Sequence, residues 1–317
     1  MNLQNKHVLV TGGYGFLGSY IVDKLCEREA EVVSVRHSLF DLRRREEVCE
    51  MYRAYRPDVV IHAAAMCGGI QACSANPARY LYDNLTMDLE MLEGAREYGV
   101  EKFVAIGSVC AYPLNVKIPA KEEELWNGYP EPTNAPYGIA KRVMMEQCKA
   151  YRKQYGMNAI GLIPANLYGP RDSFDPAKSH AIPSLIRKCM DAKRDGTDLS
   201  VWGTGKATRE FLYVEDCAEA IVLATEHYDG VEPVNIATGD ETPISNVVGI
   251  IASLMGYQGM VEWDSTKPDG QPRRLFDTSR AEKFGFKAKM PLWQGLQNTI
   301  DWWETQNEYN LGTSVHK

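Results

Sequence analysis

The chain has 317 residues, 44% of them hydrophobic and 24% charged, a globular composition that excludes a disordered, collagenous or fibrous protein. At this length a chain buries roughly 75% of the surface it exposes when unfolded, so a core forms without disulfide or metal staples. With 35 Lys and Arg against 42 Asp and Glu the formal net charge is −7, which argues against non-specific binding to nucleic acid or an anionic membrane while leaving room for a locally basic pocket. No run of about 18 apolar residues predicts a membrane span, and the polar stretch Met1 to Lys6 lacks the apolar region of a signal peptide. The cysteines at Cys26, Cys49, Cys67, Cys73, Cys110, Cys148, Cys189 and Cys217 include no C-x-x-C pair. That pattern predicts reduced thiols in a cytoplasmic enzyme with no metal site, each thiol taken alone being a small buried hydrophobe.

Strand and helix alternate from the start. His7 to Val10 is an apolar run suited to a strand buried on both faces, and Phe16 to Arg28 follows with helical spacing. Glu31 to Val35 is a second strand, Leu42 to Tyr55 a charged helix, and Val59 to Ile61 a third strand. Ala78 to Tyr98 carries Leu81, Leu85, Leu89 and Leu92 at helical intervals. Phe103 to Ile106 is a fourth strand, Tyr137 to Tyr155 a helix and Ala159 to Ile163 a fifth strand. This alternation predicts βαβ units and a parallel sheet. After Pro164 the texture changes: short strands at Leu199 to Trp202 and Val234 to Ile236 interleave with helices at Ile182 to Lys193, Asp216 to Glu226, Ile244 to Met255 and Leu292 to Thr305. The last dozen residues, 306–317, are polar and predict a frayed tail.

Between the first strand and the first helix lies Thr-Gly-Gly-Tyr-Gly-Phe-Leu-Gly, with Gly12, Gly15 and Gly18 in the pattern G-x-x-G-x-x-G. Glycines there permit a tight turn and a close backbone approach to a pyrophosphate, which the helix N-terminus favours. The loop from Gly12 through Gly13, Tyr14, Gly15, Phe16 and Leu17 to Gly18 is therefore a candidate dinucleotide site. The second strand ends in Val35-Arg36-His37-Ser38, without a carboxylate to bind a ribose 2′-hydroxyl. Arg36 can instead pair with a 2′-phosphate, which favours NADP(H) and leaves NAD(H) as the alternative. Asp41-Leu42 is a candidate adenine-contacting turn.

Tyr137-Gly-Ile-Ala-Lys141 is Y-x-x-x-K, an i, i+4 pair on one helix face. A lysine ammonium beside a phenol favours the phenolate, so the tyrosine can exchange a proton with a substrate oxygen, and Ser108 after the fourth strand can hold the same oxygen. Together with the glycine loop and Ala63-Ala64-Ala65 after the third strand, the chain resembles the extended short-chain dehydrogenase/reductase superfamily over nearly its whole length. Within it, Gly107-Ser-Val-Cys-Ala-Tyr-Pro113, Pro132-Thr-Asn-Ala-Pro-Tyr137, Pro164-Ala-Asn-Leu-Tyr-Gly-Pro170 and Ser179-His-Ala-Ile-Pro183 look like the GDP-L-fucose synthase family. So do Val201-Trp-Gly-Thr-Gly205, Arg209-Glu-Phe-Leu212 and Lys267-Pro-Asp-Gly270.

The resemblance implies an α/β architecture: a Rossmann doubly wound parallel sheet with a smaller mixed α/β substrate domain. Residues 1–165, with returning segments at about 210–240, would bind the dinucleotide, and residues 166–209 and 241–305 the nucleotide sugar. It implies NADPH-dependent 3,5-epimerisation and 4-keto reduction of a GDP-4-keto-6-deoxy sugar. Ser108, Tyr137 and Lys141 would form the reductase triad, and Cys110 with His180 the acid/base pair at C3 and C5. Ile106, Gly107, Lys141, Pro164, Asn166, Leu167 and His180 would also contact the cofactor. Asn166, Lys188, Trp202, Arg209 and Asp277 would hold the GDP-sugar. A homodimer through the helices Ala78 to Tyr98 and Tyr137 to Tyr155 is expected, with no nucleic-acid or membrane partner. The chain departs from that family at Gly13-Tyr14, where a His-Arg pair is common. A related enzyme on another nucleotide sugar stays open. A 4,6-dehydratase would carry a carboxylate within the Ser108-Val109-Cys110 stretch, a 4-epimerase needs neither Cys110 nor His180, and a dinucleotide-sensing regulator commonly loses the Tyr or Lys.

Overall fold

Strands that must be covered by helices on both faces read as unbroken apolar runs. The structure, a computed structural model, describes residues 1–176, 178–267 and 269–313, and of residues 70, 71 and 307–313 the backbone alone. Five strands fall where the apolar runs predict them: β1 (His7–Thr11), β2 (Glu31–Val35), β3 (Val59–His62), β4 (Lys102–Ile106) and β5 (Ala159–Pro164). Beyond them lie β6 (Asn166–Tyr168), β7 (Leu199–Trp202), β8 (Thr208–Arg209), β9 (Phe211–Tyr213), β10 (Val234–Ile236), β11 (Thr242–Pro243) and β12 (Val261–Asp264). The main sheet is six-stranded and parallel, ordered β10-β5-β4-β3-β1-β2. Its strand order reverses between β1 and β3, which opens a crevice beyond the carboxyl ends of those two strands.

The helices are α1 (Phe16–Glu27), α2 (Arg45–Tyr55), α3 (Ile70–Ala75), α4 (Pro77–Glu97), α5 (Ala135–Tyr155), α6 (Ala181–Asp195), α7 (Val214–His227), α8 (Ile244–Leu254), α9 (Ser279–Glu282) and α10 (Leu292–Thr313). The second helix starts three residues later than its spacing predicts because Asp41 turns the chain first: its carboxylate accepts the backbone N–H of Arg43 at 3.1 Å. α4 begins with a proline, a residue pre-organised for the first helical turn. The last helix passes the expected end at Thr305 and reaches Thr313, where a frayed tail was expected from 306; residues 314–317 lie outside the described residues.

Two apolar cores result. One surrounds the main sheet, with Val8, Leu9, Val10, Val59, Val60, Ile61, Phe103, Val104 and Ile160 all buried. The other joins α6, α8 and α10 through Ile186, Val247, Ile251, Leu296 and Ile300. Three two-stranded pieces support it, pairing β12 with β7, β11 with β8, and β6 with β9. Among the described residues no helix is long and apolar enough to cross a membrane.

Candidate active site

The glycine turn is forced by packing. Gly12 has φ +72°, and a Cβ there would lie 2.8 Å from the backbone nitrogen of Ala64. Its carbonyl accepts the Gly15 N–H at 2.8 Å. Gly15 caps α1 without a side-chain hydrogen bond, and the first turn carries no acid, so the helix's leading N–H groups are open to an anion. Gly12, Gly15, Phe16, Leu17 and Gly18 line a cleft of about 1310 Å³, together with Ala63, Ala64, Ala65, Ile106, Gly107, Pro164, Asn166 and Leu167. That volume exceeds the roughly 300–1,000 Å³ of a single-ligand pocket and suits a dinucleotide beside a second ligand. The uncapped helix and the cradle that a Cβ would fill thus fit the dinucleotide expected from the sequence.

Four of the expected cofactor residues lie off the cleft wall, Lys141 of α5 among them. Gly13 packs against Ser34, whose Oγ would stand 2.1 Å from a Cβ. Tyr14 is exposed outside it and carries the Arg36 guanidinium 3.8 Å above its ring. Asp41 is held by Arg43, whose Nε and Nη2 donate to its carboxylate at 2.8 and 2.7 Å and keep the carboxyl well below the usual range. Leu42 and Arg36 do line the cleft, and His37 and Arg43, which sequence reasoning passed over, join them.

β4 delivers Ser108 to the cleft. Its hydroxyl caps a short 3₁₀ turn, Val109–Ala111, by accepting the Cys110 N–H at 3.2 Å. α5 comes against this turn because Gly138 has no side chain: a Cβ there would sit 2.3 Å from the Cys110 carbonyl oxygen. Tyr137 is thereby placed at Ser108, with a hydrogen bond between the two side chains. Burial, Cys67, Cys110 and Asp88 push the phenol well above its ordinary value, outweighing that bond. This corrects the expectation that Lys141 favours the phenolate. Lys141 is buried one turn along, yet its ammonium faces Asp88, with Oδ1 at 3.3 Å and Oδ2 at 3.5 Å. Tyr137 is therefore a protonated phenol, a donor.

Asp88 belongs to a buried polar row that the sequence did not reveal. His62 Nε2 stands 3.0 Å from Asp88 Oδ1, and His62 Nδ1 2.7 Å from Thr11 Oγ1. Burial lowers the His62 pKa against the pull of Asp88, so the imidazole is neutral. Its Nε2–H donates to the carboxylate and its Nδ1 accepts from the threonine hydroxyl. The Ala64 N–H completes the row, donating to Thr11 Oγ1 at 3.3 Å.

His180 lies at the N-terminus of α6 and lines the cleft. Its Nδ1 is 3.6 Å from the buried Asp172 Oδ2. Its Nε2 meets the thiol of Cys67 at 3.9 Å, and it is Cys67, not Cys110, that partners it among the described residues. Asp172 and then Cys67 raise the imidazole to about 11 against the effect of burial. Cys110 lines the same cleft on the Ser108 turn.

The expected sugar-nucleotide residues divide. Lys188 and Trp202 line the cleft, the ammonium 5.5 Å from the indole centroid. Arg209 lines it too, its guanidinium donating to the carbonyls of Thr208 at 2.7 Å, Gln271 at 2.6 Å and Asp269 at 3.1 Å; burial pushes it down to about 10. The Asp269 carboxylate accepts from the N–H and hydroxyl of Thr204, which ties together two of the singled-out motifs; Pro268 of the second lies outside the described residues. Asn166 donates its amide to the Glu210 carbonyl at 2.9 Å. Asp277 is not in the cleft: its carboxylate accepts from the Ser279 N–H and hydroxyl at the start of α9, and its carbonyl accepts from Asn235. Arg187 and Arg274, which the sequence reading omitted, stand in the lining.

Sheet, crevice and site define a dinucleotide-binding enzyme of the Rossmann class. The chain belongs to the NAD dependent epimerase/dehydratase family, which residues 8–237 match. It is 42% identical over 300 residues to the GDP-L-fucose synthase of Sinorhizobium fredii, covering 94% of this chain and 96% of that one. Its structure is similar to a GDP-6-OMe-4-keto-L-xylo-heptose reductase from C. jejuni, with TM-score 0.91 at 28% identity over 96% of this chain and 99% of the other. It is also similar to a GDP-L-fucose synthetase from Naegleria fowleri bound to NADP, with TM-score 0.87 at 28% identity over 96% of each chain. The cofactor is a nicotinamide dinucleotide.

Proposed function

We propose that this enzyme epimerises C3 and C5 of GDP-4-keto-6-deoxy-D-mannose and reduces its C4 ketone with NADPH, forming GDP-L-fucose. The observation that carries this reading is the meeting of Ser108, Cys110, Tyr137 and His180 in one cleft beside the glycine turn. Residues 1–165 with a returning segment at about 210–240 would hold the dinucleotide, and residues 166–209 and 241–305 the nucleotide sugar. NADPH, when bound, supplies hydride to C4. Tyr137 gives its proton to the C4 oxygen, and the Ser108 hydroxyl holds that oxygen. The C4 carbonyl acidifies the C–H bonds at C3 and C5, where Cys110 and His180 take and return protons; the enolate charge on O4 meets the same two hydroxyls. Lys141, held by Asp88, would fix the start of α5, and with it Tyr137, against α4. Arg209 and Lys188 face the pyrophosphate of the sugar nucleotide, and Trp202 its neighbouring groups.

NADPH is favoured over NADH by the basic end of β2: Arg36, His37 and Arg43 line the cleft there, and the carboxylates beside them, Asp41 and Asp83, are both ion-paired with Arg43. α4 and α5 expose Tyr82, Leu89, Val143 and Tyr155, which supports a two-fold homodimer through these helices. All eight thiols are unpaired, which suits a reducing, cytoplasmic compartment. The test is GDP-4-keto-6-deoxy-D-mannose with NADPH in deuterated water, the product followed by NMR. Tyr137→Phe should cut reduction by about 10²–10⁴-fold while C3/C5 exchange persists; equal loss of both would overturn the division of roles. Reduction of a different GDP-4-keto sugar, with none of this one, would favour the reductase alternative that the C. jejuni neighbour suggests.

A further inference from the structure

The sequence pairs His180 with Cys110 by resemblance, yet the imidazole reaches a different sulfur. Cys67 follows β3 in the loop at the carboxyl edge of the sheet, and its Sγ lies 3.9 Å from His180 Nε2. Behind the imidazole, Asp172 Oδ2 stands 3.6 Å from Nδ1 and is a buried oxygen without a hydrogen-bond partner of its own. Thiol, imidazole and carboxylate thus form a line, the arrangement that moves a proton from sulfur to nitrogen. Cys67 lines the same cleft as Ser108, Cys110 and Tyr137, and it is an exposed residue, whereas Cys73, Cys148, Cys189 and Cys217 are buried.

The groups around Cys67 agree. The cleft groups packed around the sulfur push the thiol up by desolvation, but the hydrogen bond and charge of His180, the charge of Lys141 and the Tyr137 hydroxyl together hold it below the ordinary thiol value. Charge on Cys67 in turn raises its neighbours Tyr80 and Cys73, which are kept protonated beside it. These contributions favour charge separation between Cys67 and His180, at a thiol that lines the cleft.

We propose that Cys67 is a second catalytic thiol of this site, one that takes the proton from the carbon next to the substrate's ketone. This rests on the function proposed above and refines it: Cys67 makes the C–H contact given there to His180, and His180 is the positioning group that sets the thiol's charge. In the resting site the proton sits on His180 and Cys67 is a thiolate. Its lone pair forms the S–H bond as the C–H bond breaks. The C–H electrons become a ring C=C bond, and the carbonyl π pair moves onto O4, held by Ser108 and Tyr137. A proton from the Cys110 thiol returns to the carbon, the π pair re-forms the carbonyl, and Cys110 is left as a thiolate. Water carries a proton from Cys67 to Cys110, and both thiols end as they began. No oxidant or reductant enters.

Two readouts on the full-length enzyme test this. The first needs no substrate: iodoacetamide at pH 6.5, with each alkylated cysteine located by mass spectrometry. An ordinary thiol is about 1% ionised there, so Cys67 should label at least about 10-fold faster than Cys26 or Cys49, and His180→Asn should remove the advantage. Labelling of Cys67 at the rate of the other exposed thiols, or a rate indifferent to His180→Asn, overturns the proposal. The second is solvent-deuterium incorporation into GDP-4-keto-6-deoxy-D-mannose, where Cys67→Ser should slow exchange by about 10²-fold. Normal exchange by Cys67→Ser overturns the proposal and leaves the function standing. Absence of exchange by the unmodified enzyme overturns the function, and the proposed step with it, even if Cys67 labels fast. Circular dichroism of Cys67→Ser, matched by Cys67→Ala, separates lost chemistry from lost fold.

Discussion

Two imidazole–carboxylate pairs in this molecule behave oppositely. His62 and Asp88 are sealed beneath the sheet edge, and burial drives the imidazole neutral. His180 and Asp172 face the cleft, and the carboxylate raises the imidazole to about 11. The partners are the same chemical types at 3.0 and 3.6 Å, so distance does not decide the sign. At His62 the charge of Asp88 is already shared with the Lys141 ammonium, which repels a second positive charge. At His180 the Asp172 carboxylate makes the leading contribution, and Cys67 adds to the pull. The sealed row holds Lys141 against Asp88; the open one leaves its imidazole facing the cleft.

The largest expected effect breaks the sealed row. Asp88→Asn leaves the Lys141 charge buried without its partner and should cost about 3–5 kcal/mol in urea unfolding. A loss under about 1 kcal/mol would mean that Lys141 finds water and the row is not closed. The next effect sharpens the sign at His62. Its folded pKa lies below the unfolded value of about 6.5, so its stabilisation is present above that pH and lost as pH falls from 6.5 through the folded pKa. Stability should decline by up to about 1.4 kcal/mol per pH unit in that window. His62→Gln should remove this slope; an unchanged slope would show that other groups cause it.

The smallest stability effect is at the open row. The His180 pKa is raised, so its contribution is fully present below pH about 6.5 and fades as pH rises through about 11. The imidazole is 44% exposed, so solvent screening should keep the cost of Asp172→Asn within about 1 kcal/mol. The same variant should still lower the imidazole pKa, followed by NMR titration; an unmoved titration would put Cys67 alone in charge of it. Arg36→Ala should raise the KM for NADPH about 10-fold with little effect on NADH, as loss of a charge-assisted contact predicts. Equal changes for both cofactors would remove Arg36 from phosphate recognition.

What could be read in the sequence was what is local. Unbroken apolar runs marked β1 to β5, the G-x-x-G-x-x-G spacing marked the turn before α1, and the i, i+4 spacing put Tyr137 and Lys141 on one face. Residues joined only by folding stayed hidden. Cys67 and His180 are 113 positions apart, and His62, Asp88 and Lys141 come from β3, α4 and α5. A cysteine just past a buried strand reads as core unless its place at the ligand-bearing edge of the sheet is weighed. Asp277 erred the other way: a carboxylate two residues before Ser279 is equally a helix-start residue, and that is its work here.

The sixth strand has a consequence for synthesis. β5 is complete at Pro164, but its outer neighbour, β10, ends only at Ile236. While the ribosome adds the intervening residues, the emerging sheet presents a bare row of β5 N–H and C=O groups, an invitation to pair with the strand of another nascent chain. Crowded translation of this protein is therefore hazardous until its 236th residue has cleared the exit tunnel, and slow elongation across that stretch would lengthen the exposure.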